Sequence, residues 1–230
     1  MTNLVVLTGA GISAESGLAT FRDPGGLWRR YRPQDLATPE AFARDPELVL
    51  GWYDARRAQL AEVEPNPAHL ALARLEREWP GEFLLVTQNV DDLHARAGSR
   101  AMIQMHGALK RVRCQACGAV HEWAAALPRA TPCPACAAPR LRPDIVWFGE
   151  MPMDMPRIMA ALEDADLFVS IGTSGTVYPA AGFVRMLPPH ARSIEVNTEA
   201  SAVADGFDEL RQGPAGVLVP ALVEELLCGG

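Results

Sequence analysis

Four of the five cysteines in this 230-residue chain stand as two close pairs, Cys114-Gln115-Ala116-Cys117 and Cys133-Pro134-Ala135-Cys136, with 15 residues (118–132) between them. Two such pairs at this separation are the pattern of a tetrahedral four-thiolate zinc site, each pair closing a tight turn around the ion. Four thiolates fill the coordination shell, so a metal held there is structural and not catalytic. Cys228 reads as a plain reduced thiol. A second constellation lies near the start. Leu4 to Leu7 form a short apolar run that reads as a buried strand, and Gly9, Gly11 and Ala14 follow at the spacing of the dinucleotide fingerprint. In that pattern the glycines allow a tight turn and let backbone amides approach a pyrophosphate at a helix N-terminus. Ser13, Glu15 and Ser16 suit the cap and first turn of such a helix. The same glycines would equally serve a strand-to-helix turn that needs them for backbone freedom alone. The acidic residue that holds a ribose in this motif comes about 20 positions further on. Here that distance falls in Phe21-Arg22-Asp23-Pro24-Gly25-Gly26, which reads as a loop, so a bound dinucleotide would take its ribose contacts from elsewhere.

Four further strand ends carry polar groups. Phe83 to Thr87 reads as a buried strand ending in Gln88-Asn89-Val90-Asp91-Asp92, and polar groups after a parallel strand sit at the carboxyl edge, where ligands bind. Asn89 as a turn residue and Asp91 as a helix cap are the alternative uses. Leu167 to Ile171 ends in Gly172-Thr173-Ser174, a second small-residue loop suited to a phosphate or ribose contact, or to a simple turn. Ser193 to Val196 ends in Asn197-Thr198-Glu199, which could supply the missing ribose contacts. Met102 to Met105 leads into His106-Gly107, and a histidine there can act as a general base because its ordinary pKa, about 6.5, lies near neutrality. Tyr53 and Arg56 stand three apart on a helical stretch and share a face. A phenol and a guanidinium side by side would suit a small carboxylate, although spacing alone reads equally as a solvated face and leaves Arg57 as good a candidate as Arg56.

Several elements must position these groups. Trp28 to Thr38, with Arg29, Arg30 and Arg32, shows no period and reads as a mobile loop. Pro46 to about Glu64 reads as a helix with Leu48, Val49 and Trp52 as its apolar stripe, broken by Pro65-Asn66-Pro67. Ala68 to Trp79 reads as a second helix with Leu70, Leu72 and Leu75 available for packing, and the two form an insertion between the first strand and the next. Ile158 to Ala165 and Ala221 to Leu227 read as later helices. The length allows one sizeable core with a small appended module. With 49% hydrophobic and 21% charged residues the composition is that of an ordinary soluble protein. The apolar runs are too short to cross a bilayer and Met1-Thr2-Asn3 leads straight into a strand, so a cytoplasmic location is expected, without a membrane partner. A formal net charge of −7 argues against broad nucleic-acid binding, which needs clustered positive charge.

Taken in order, GAGISAESGLATFR, TQNVDDLH, the HG at His106, the two cysteine pairs, FGE at Phe148, GTS at Gly172 and EVN at Glu195 resemble the sirtuins, the NAD-dependent protein lysine deacylases, over nearly the whole chain. Within WYDARR, Tyr53 and Arg56 resemble the pair that marks the branch acting on acidic acyl groups. The resemblance implies an α/β fold: a Rossmann-like parallel sheet (1–28, 80–110 and 143–230) binding NAD, a loop and helical insertion (29–79) and a zinc-binding module (111–142). It implies that Gly9, Ala10, Gly11 and Ser13 cradle the pyrophosphate with Glu15 near by. Phe21 and Arg22, with Trp28, would close over the reacting end of NAD. Gln88 and Asn89 would hold the nicotinamide-side ribose, and Ile12, Asn89, Val90 and Asp91 would line the nicotinamide pocket. Gly172, Thr173 and Ser174 would contact phosphate, Asn197, Thr198 and Glu199 the adenosine ribose region, and Ala215 would lie beside it. His106 would be the general base, taking a proton from a ribose hydroxyl after the acyl-lysine carbonyl oxygen has displaced nicotinamide, with Asn89 assisting. Val146, Phe148, Gly149 and Tyr178 would hold an extended acyl-lysine peptide as an added strand. Cys114, Cys117, Cys133 and Cys136 would bind zinc. Ala137-Ala138 replaces the glycine-rich turn often seen after the second cysteine pair.

The expectation is therefore an NAD-dependent deacylase favouring succinyl, malonyl or similar acyl groups, with some deacetylase activity, releasing nicotinamide and O-acyl-ADP-ribose. Protein ADP-ribosyl transfer from the same pocket is the second reading. A non-catalytic zinc-ribbon module on a nucleotide-sensing domain is the third, and His106, Asn89 and Asp91 together argue against it, since binding alone needs no base.

Overall fold

The computed structural model describes residues 2–18 and 33–228. In chain order it opens with β1 (Leu4–Thr8), α1 (Ala10–Ala14), α2 (Pro33–Leu36), α3 (Pro39–Arg44), α4 (Pro46–Gln59) and α5 (Pro67–Glu78). β2 (Phe83–Thr87), α6 (Leu93–Ala97), β3 (Met102–Gln104), β4 (Gly107–Cys114), β5 (Val120–Glu122) and β6 (Leu141–Ile145) follow. The chain closes with α7 (Met155–Glu163), β7 (Leu167–Ile171), a 3-10 turn at Ala180–Met186, β8 (Arg192–Asn197), β9 (Glu209–Gln212) and α8 (Ala215–Cys228). Two sheets result. The larger is wholly parallel in the order β3-β2-β1-β7-β8-β9, and the smaller is antiparallel in the order β5-β4-β6.

Strand alternation builds two cores on the parallel sheet. Leu4, Val6, Leu85, Val169, Ile194 and Val196 face α5 and α8 through Ala68, Leu72, Leu75, Val219, Leu222 and Val223. Val5, Leu7, Val86 and Phe168 face the other way, onto Ile158 and Leu162 of α7 and Phe183 and Val184 of the 3-10 turn. Burial on both faces is why β1 and β7 are mostly apolar, with only Thr8 at the end of β1 and Ser170 within β7 polar. Helices α2 to α4 instead pack beside the smaller sheet: Leu36, Val49, Tyr53 and Leu60 share a core with Leu109, Ile145 and Trp147.

Helix ends follow local chemistry. Asp45 accepts from Leu48 N (3.0 Å) ahead of Pro46, and Asn66 accepts from Ala68 N (3.0 Å) ahead of Pro67, so each proline occupies a first-turn position that needs no N–H. Asn66 also donates to Ile12 O (2.7 Å), which fastens α5 to the glycine loop.

The sequence reading needs correction at several boundaries. The first helix is α1 with Gly9 at its N-cap, so Ser13 lies inside it and Glu15 closes it; neither caps its start. Within Trp28–Thr38, residues 28–32 lie outside the described residues, while Pro33–Leu36 is helical and not a loop. Helix α4 stops at Gln59, because the chain tightens into i→i+3 bonds from Leu60, Ala61 and Glu62 and buries Leu60 before the prolines arrive. On α5, Leu72 and Leu75 pack but Leu70 is 53% exposed. Helix α8 begins at Ala215, six residues before the expected start at Ala221, and runs through Pro220.

Candidate functional site

In the strand order 3-2-1-7-8-9 the chain crosses from one side of the sheet to the other between β1 and β7, and a crevice opens outside the carboxyl ends at such a switch point. A cleft of about 1390 Å³ lies there. Its floor follows the sheet: His106 after β3, Gln88 to Asp91 after β2, Gly9 to Gly11 after β1, Gly172 to Ser174 after β7, Asn197 to Glu199 after β8 and Gly213 and Ala215 after β9. Six strand ends at about 4.8 Å apart give a trough roughly 24 Å long.

At the centre the two small-residue loops touch each other. Gly11 N donates to Gly172 O (2.8 Å), and Gly172 sits at φ +62° with Ile12 N 2.4 Å from where its Cβ would be. A side chain on either residue would collide with backbone. The glycines therefore serve loop-to-loop packing as well as the floor of the cleft, a role the spacing could not separate from ligand approach. Ile12 itself is fully buried in the core and does not line the cleft.

Beside this contact lies a polar knot. Asn89 donates through Nδ2 to Gly9 O (3.0 Å) and Ser13 Oγ (3.1 Å), and Ser13 Oγ donates to Asp91 Oδ2 (3.0 Å). Asp91 Oδ1 accepts from Leu93 N (3.1 Å), so Asp91 fastens α6 and contacts the glycine loop at once. Burial raises the Asp91 carboxyl above its ordinary value, with the Leu93 and Ser13 hydrogen bonds opposing. Both amide hydrogens of Asn89 are committed, and what it can offer a ligand is the acceptor Oδ1. The hydroxyl of Ser13 is likewise committed within the protein.

His106 donates through Nδ1 to Gln88 O (3.1 Å). A carbonyl can only accept, which places the proton on Nδ1 and leaves Nε2 as the basic nitrogen. Burial lowers its pKa, and the Gln88 carbonyl partly offsets this. Gly107 follows at φ +86°, and a Cβ there would lie 2.0 Å from Asp144 O. Only glycine lets β4 leave the histidine in this direction.

Toward β8, Gln88 Nε2 donates to Thr173 Oγ1 (3.0 Å) and Asn197 Nδ2 to Thr173 O (2.8 Å). Glu195, missed as a contributor from sequence alone, is buried and accepts from Ser201 N (2.9 Å) and Ser201 Oγ (3.0 Å), which ties down the loop carrying Thr198 and Glu199. Glu15 lies outside the cleft lining and accepts from Gly216 N (3.0 Å), at the start of α8, where a carboxylate suits the helix dipole. Phe21, Arg22 and Trp28 lie outside the described residues.

At the opposite end the structure separates Arg56 from Arg57. Arg57 turns inward, donating to Leu109 O (2.8 Å), Ala125 O (3.1 Å) and Asp54, and is absent from the cleft wall. Arg56 lines the cleft with Tyr53, lies over the Trp52 ring (4.7 Å to its centroid) and donates to Gln59 Oε1 (3.1 Å). Its Nε is buried with no hydrogen-bond partner among the described residues. Burial pulls the Arg56 pKa down and pushes that of Tyr53 well up, so the tyrosine stays a protonated donor. Val146, Phe148, Gly149 and Tyr178 line the mouth, with Phe148 and Tyr178 largely exposed. Val146 N, Trp147 N and Phe148 N are already spent on His106 O, Glu150 Oε2 and Ala37 O, so an added strand would meet mainly carbonyls here.

The four thiols of Cys114, Cys117, Cys133 and Cys136 cluster within 4.8 Å of one another. Cys114 and Cys136 sulfurs lie 3.7 Å apart and those of Cys117 and Cys133 3.8 Å. Sulfurs on a tetrahedron with arms of 2.3 Å stand about 3.8 Å apart, and both of these separations match that edge. The two turns match. Gly118 N donates to Cys114 O (2.9 Å) and Ala137 N to Cys133 O (2.8 Å), but the residue after the second pair is an alanine at φ +61° where the first turn has a glycine at φ +76°. That strain costs about 1–2 kcal/mol, reduced by the greater freedom glycine would have when unfolded. Ala137→Gly is expected to stabilise the protein by roughly 0.5–1 kcal/mol, read as a raised Tm in thermal denaturation, with unchanged activity.

The Sir2 family profile matches residues 9–179. An NAD-dependent protein deacylase of Bdellovibrio bacteriovorus is 56% identical over 228 residues, covering 98% of this chain and 97% of that protein. One of Vibrio vulnificus is 55% identical over 229 residues, covering 98% and 94%. Among solved structures, a Sir2 homologue in complex with NAD superposes with a TM-score of 0.90 at 44% identity, covering 98% of this chain and 90% of that one. A Sir2 structure bound to a myristoylated histone peptide superposes at 0.75 with 31% identity, covering 97% and 90%.

Proposed function

Because the chain belongs to the Sir2 family and is an NAD-dependent protein lysine deacylase, we propose that its preferred substrates are lysines bearing a short acidic acyl group such as succinyl or malonyl. NAD, when bound, supplies a ribose carbon from which nicotinamide departs. The chain's own groups do the rest. His106 Nε2, unprotonated at neutral pH, takes the proton of a ribose hydroxyl. Asn89 Oδ1 accepts from the same sugar and fixes its attitude, with Gln88 beside it. Thr173 and Ser174, with the Ala10 amide, hold the phosphates, the Gly9 and Gly11 amides being spent on Ile171 O and Gly172 O, and Asn197, Thr198 and Glu199 hold the adenosine end. The closely packed loop junction at Gly11 and Gly172 leaves the sugar shielded on one face, which limits the water that would otherwise intercept the reacting carbon. Phe148 and Tyr178 cover the lysine stem.

One observation carries the acidic preference: the Arg56 Nε, buried with no hydrogen-bond partner among the described residues, on the same cleft wall as Tyr53. A guanidinium stays charged even when burial depresses its pKa, and this half-buried one, contacted by the Gln59 amide oxygen and the Trp52 ring, keeps a buried N–H whose unmet hydrogen bond is a cost until an anion reaches it. A terminal carboxylate on the acyl chain provides that anion, whereas an acetyl group leaves the cost in place. Arg56→Met, which keeps the bulk and removes the charge, is therefore expected to lower kcat/KM for a succinyl-lysine peptide by roughly 100-fold, and to change that for an acetyl-lysine peptide by no more than about threefold. The comparison is made by mass spectrometry of peptide products with and without NAD, and equal losses on both peptides would reject recognition of the carboxylate.

A further inference from the structure

The Tyr53 oxygen has its own partner inside the protein: Trp147 Nε1–H donates to it at 2.9 Å. An indole N–H is only a donor, so the phenol must accept there and its single hydrogen is turned away from Trp147. Trp147 is in turn held by its backbone and by its face. Its N–H donates to Glu150 Oε2 (2.8 Å), and the Arg142 guanidinium lies over its ring, 3.5 Å from the centroid. Arg142 is fixed by Glu150 through two bonds (2.7 and 2.8 Å) and by the carbonyls of Ile145 (2.6 Å) and Pro143 (3.3 Å). Trp147 is 1% exposed, so this arrangement sits in a low-dielectric surrounding where each bond strengthens the next.

We propose that Trp147 is a positioning residue for acyl selectivity: clamped between Glu150 and Arg142, it fixes the Tyr53 hydroxyl as a donor toward the acyl end of the cleft. The inference rests on the acidic-acyl reading above and deepens it. Without the indole N–H the phenol is free to rotate and present lone pairs to the incoming carboxylate, which repels it. A donor locked in place beside Arg56 gives the carboxylate a second hydrogen bond at no reorganisation cost.

The test reads the ratio of kcat/KM for succinyl-lysine to acetyl-lysine peptide. Trp147→Phe keeps most of the ring and removes the donor, and it is expected to lower the ratio about fivefold, the change lying in KM. In a Tyr53→Phe background the same substitution is expected to move the ratio no further, because its target hydroxyl is gone, whereas a merely structural tryptophan would act alike in both backgrounds. Glu150→Gln, which loosens the clamp and leaves the indole, is expected to lower the ratio about twofold and carries the test if Trp147→Phe yields no folded protein. Wild-type enzyme indifferent to acyl charge would overturn the acidic-acyl reading and this inference with it. A wild-type preference that survives both substitutions, or that Trp147→Phe reduces equally in both backgrounds, would overturn the inference alone.

Discussion

His106→Ala is expected to lower NAD-dependent turnover of acyl-lysine peptide by 10²- to 10⁴-fold, roughly the contribution of a well-placed general base, with NAD affinity retained within about threefold. The separation follows from geometry. His106 follows β3 and meets the protein through Nδ1 and the Gln88 carbonyl, so its removal takes away the basic Nε2 and leaves the Gly11–Gly172 junction and the Asn89–Ser13–Asp91 knot intact. The pH profile adds an independent check. Only neutral histidine can accept the proton, and burial lowers the folded-state pKa below the ordinary histidine value. The rate therefore rises with pH through that lowered pKa and is level above it, so the acid limb of kcat/KM lies below about pH 6.5. In the alanine variant that limb should vanish. Isothermal titration with NAD alongside a peptide assay measures both quantities, and unchanged turnover would remove His106 from its role.

Removing zinc is expected to abolish activity and to unfold at least the small sheet, since four-thiolate sites contribute apparent binding energies of about 10–16 kcal/mol to folding in isolated zinc modules. The reason lies in where the strands lead. Cys114 ends β4, whose other end is Gly107 beside His106, and Leu141, paired with Cys114, begins β6, which runs directly into Val146 and Trp147. The metal thus holds the far ends of two strands whose near ends lead to His106 and to Val146 and Trp147. Chelator treatment followed by circular dichroism, differential scanning calorimetry and peptide assay should show melting and inactivation together, both restored by zinc and not by magnesium, which prefers oxygen ligands. A metal-free protein that remains folded and fully active would contradict this.

The residues that could be read without coordinates share one property: their role depends on near neighbours in the chain. The two cysteine pairs define their own turns, and the sulfurs come together at the spacing zinc requires. Strands β1, β2 and β7 declare themselves because burial on both faces demands short runs of mostly apolar residues. Helix ends were less legible. Ala221 read as the start of the last helix, yet α8 begins at Ala215 and continues through Pro220, since the packing of Val219, Leu222 and Val223 on the sheet outweighs the one backbone bond that proline cannot make.

What the sequence by itself determined is the inventory: a four-thiolate site, a parallel α/β core, and polar groups placed at strand ends. Only the tertiary structure decided which of Arg56 and Arg57 reaches the cleft, since adjacent helical residues point about 100° apart and the choice depends on what packs against the helix. It also decided that Gly11 and Gly172 must both be glycine, because each lies where the other's backbone would meet a Cβ. The Tyr53 hydroxyl gained its direction from Trp147, 94 positions away. Such pairings depend on the folding of the whole chain, which no local pattern encodes.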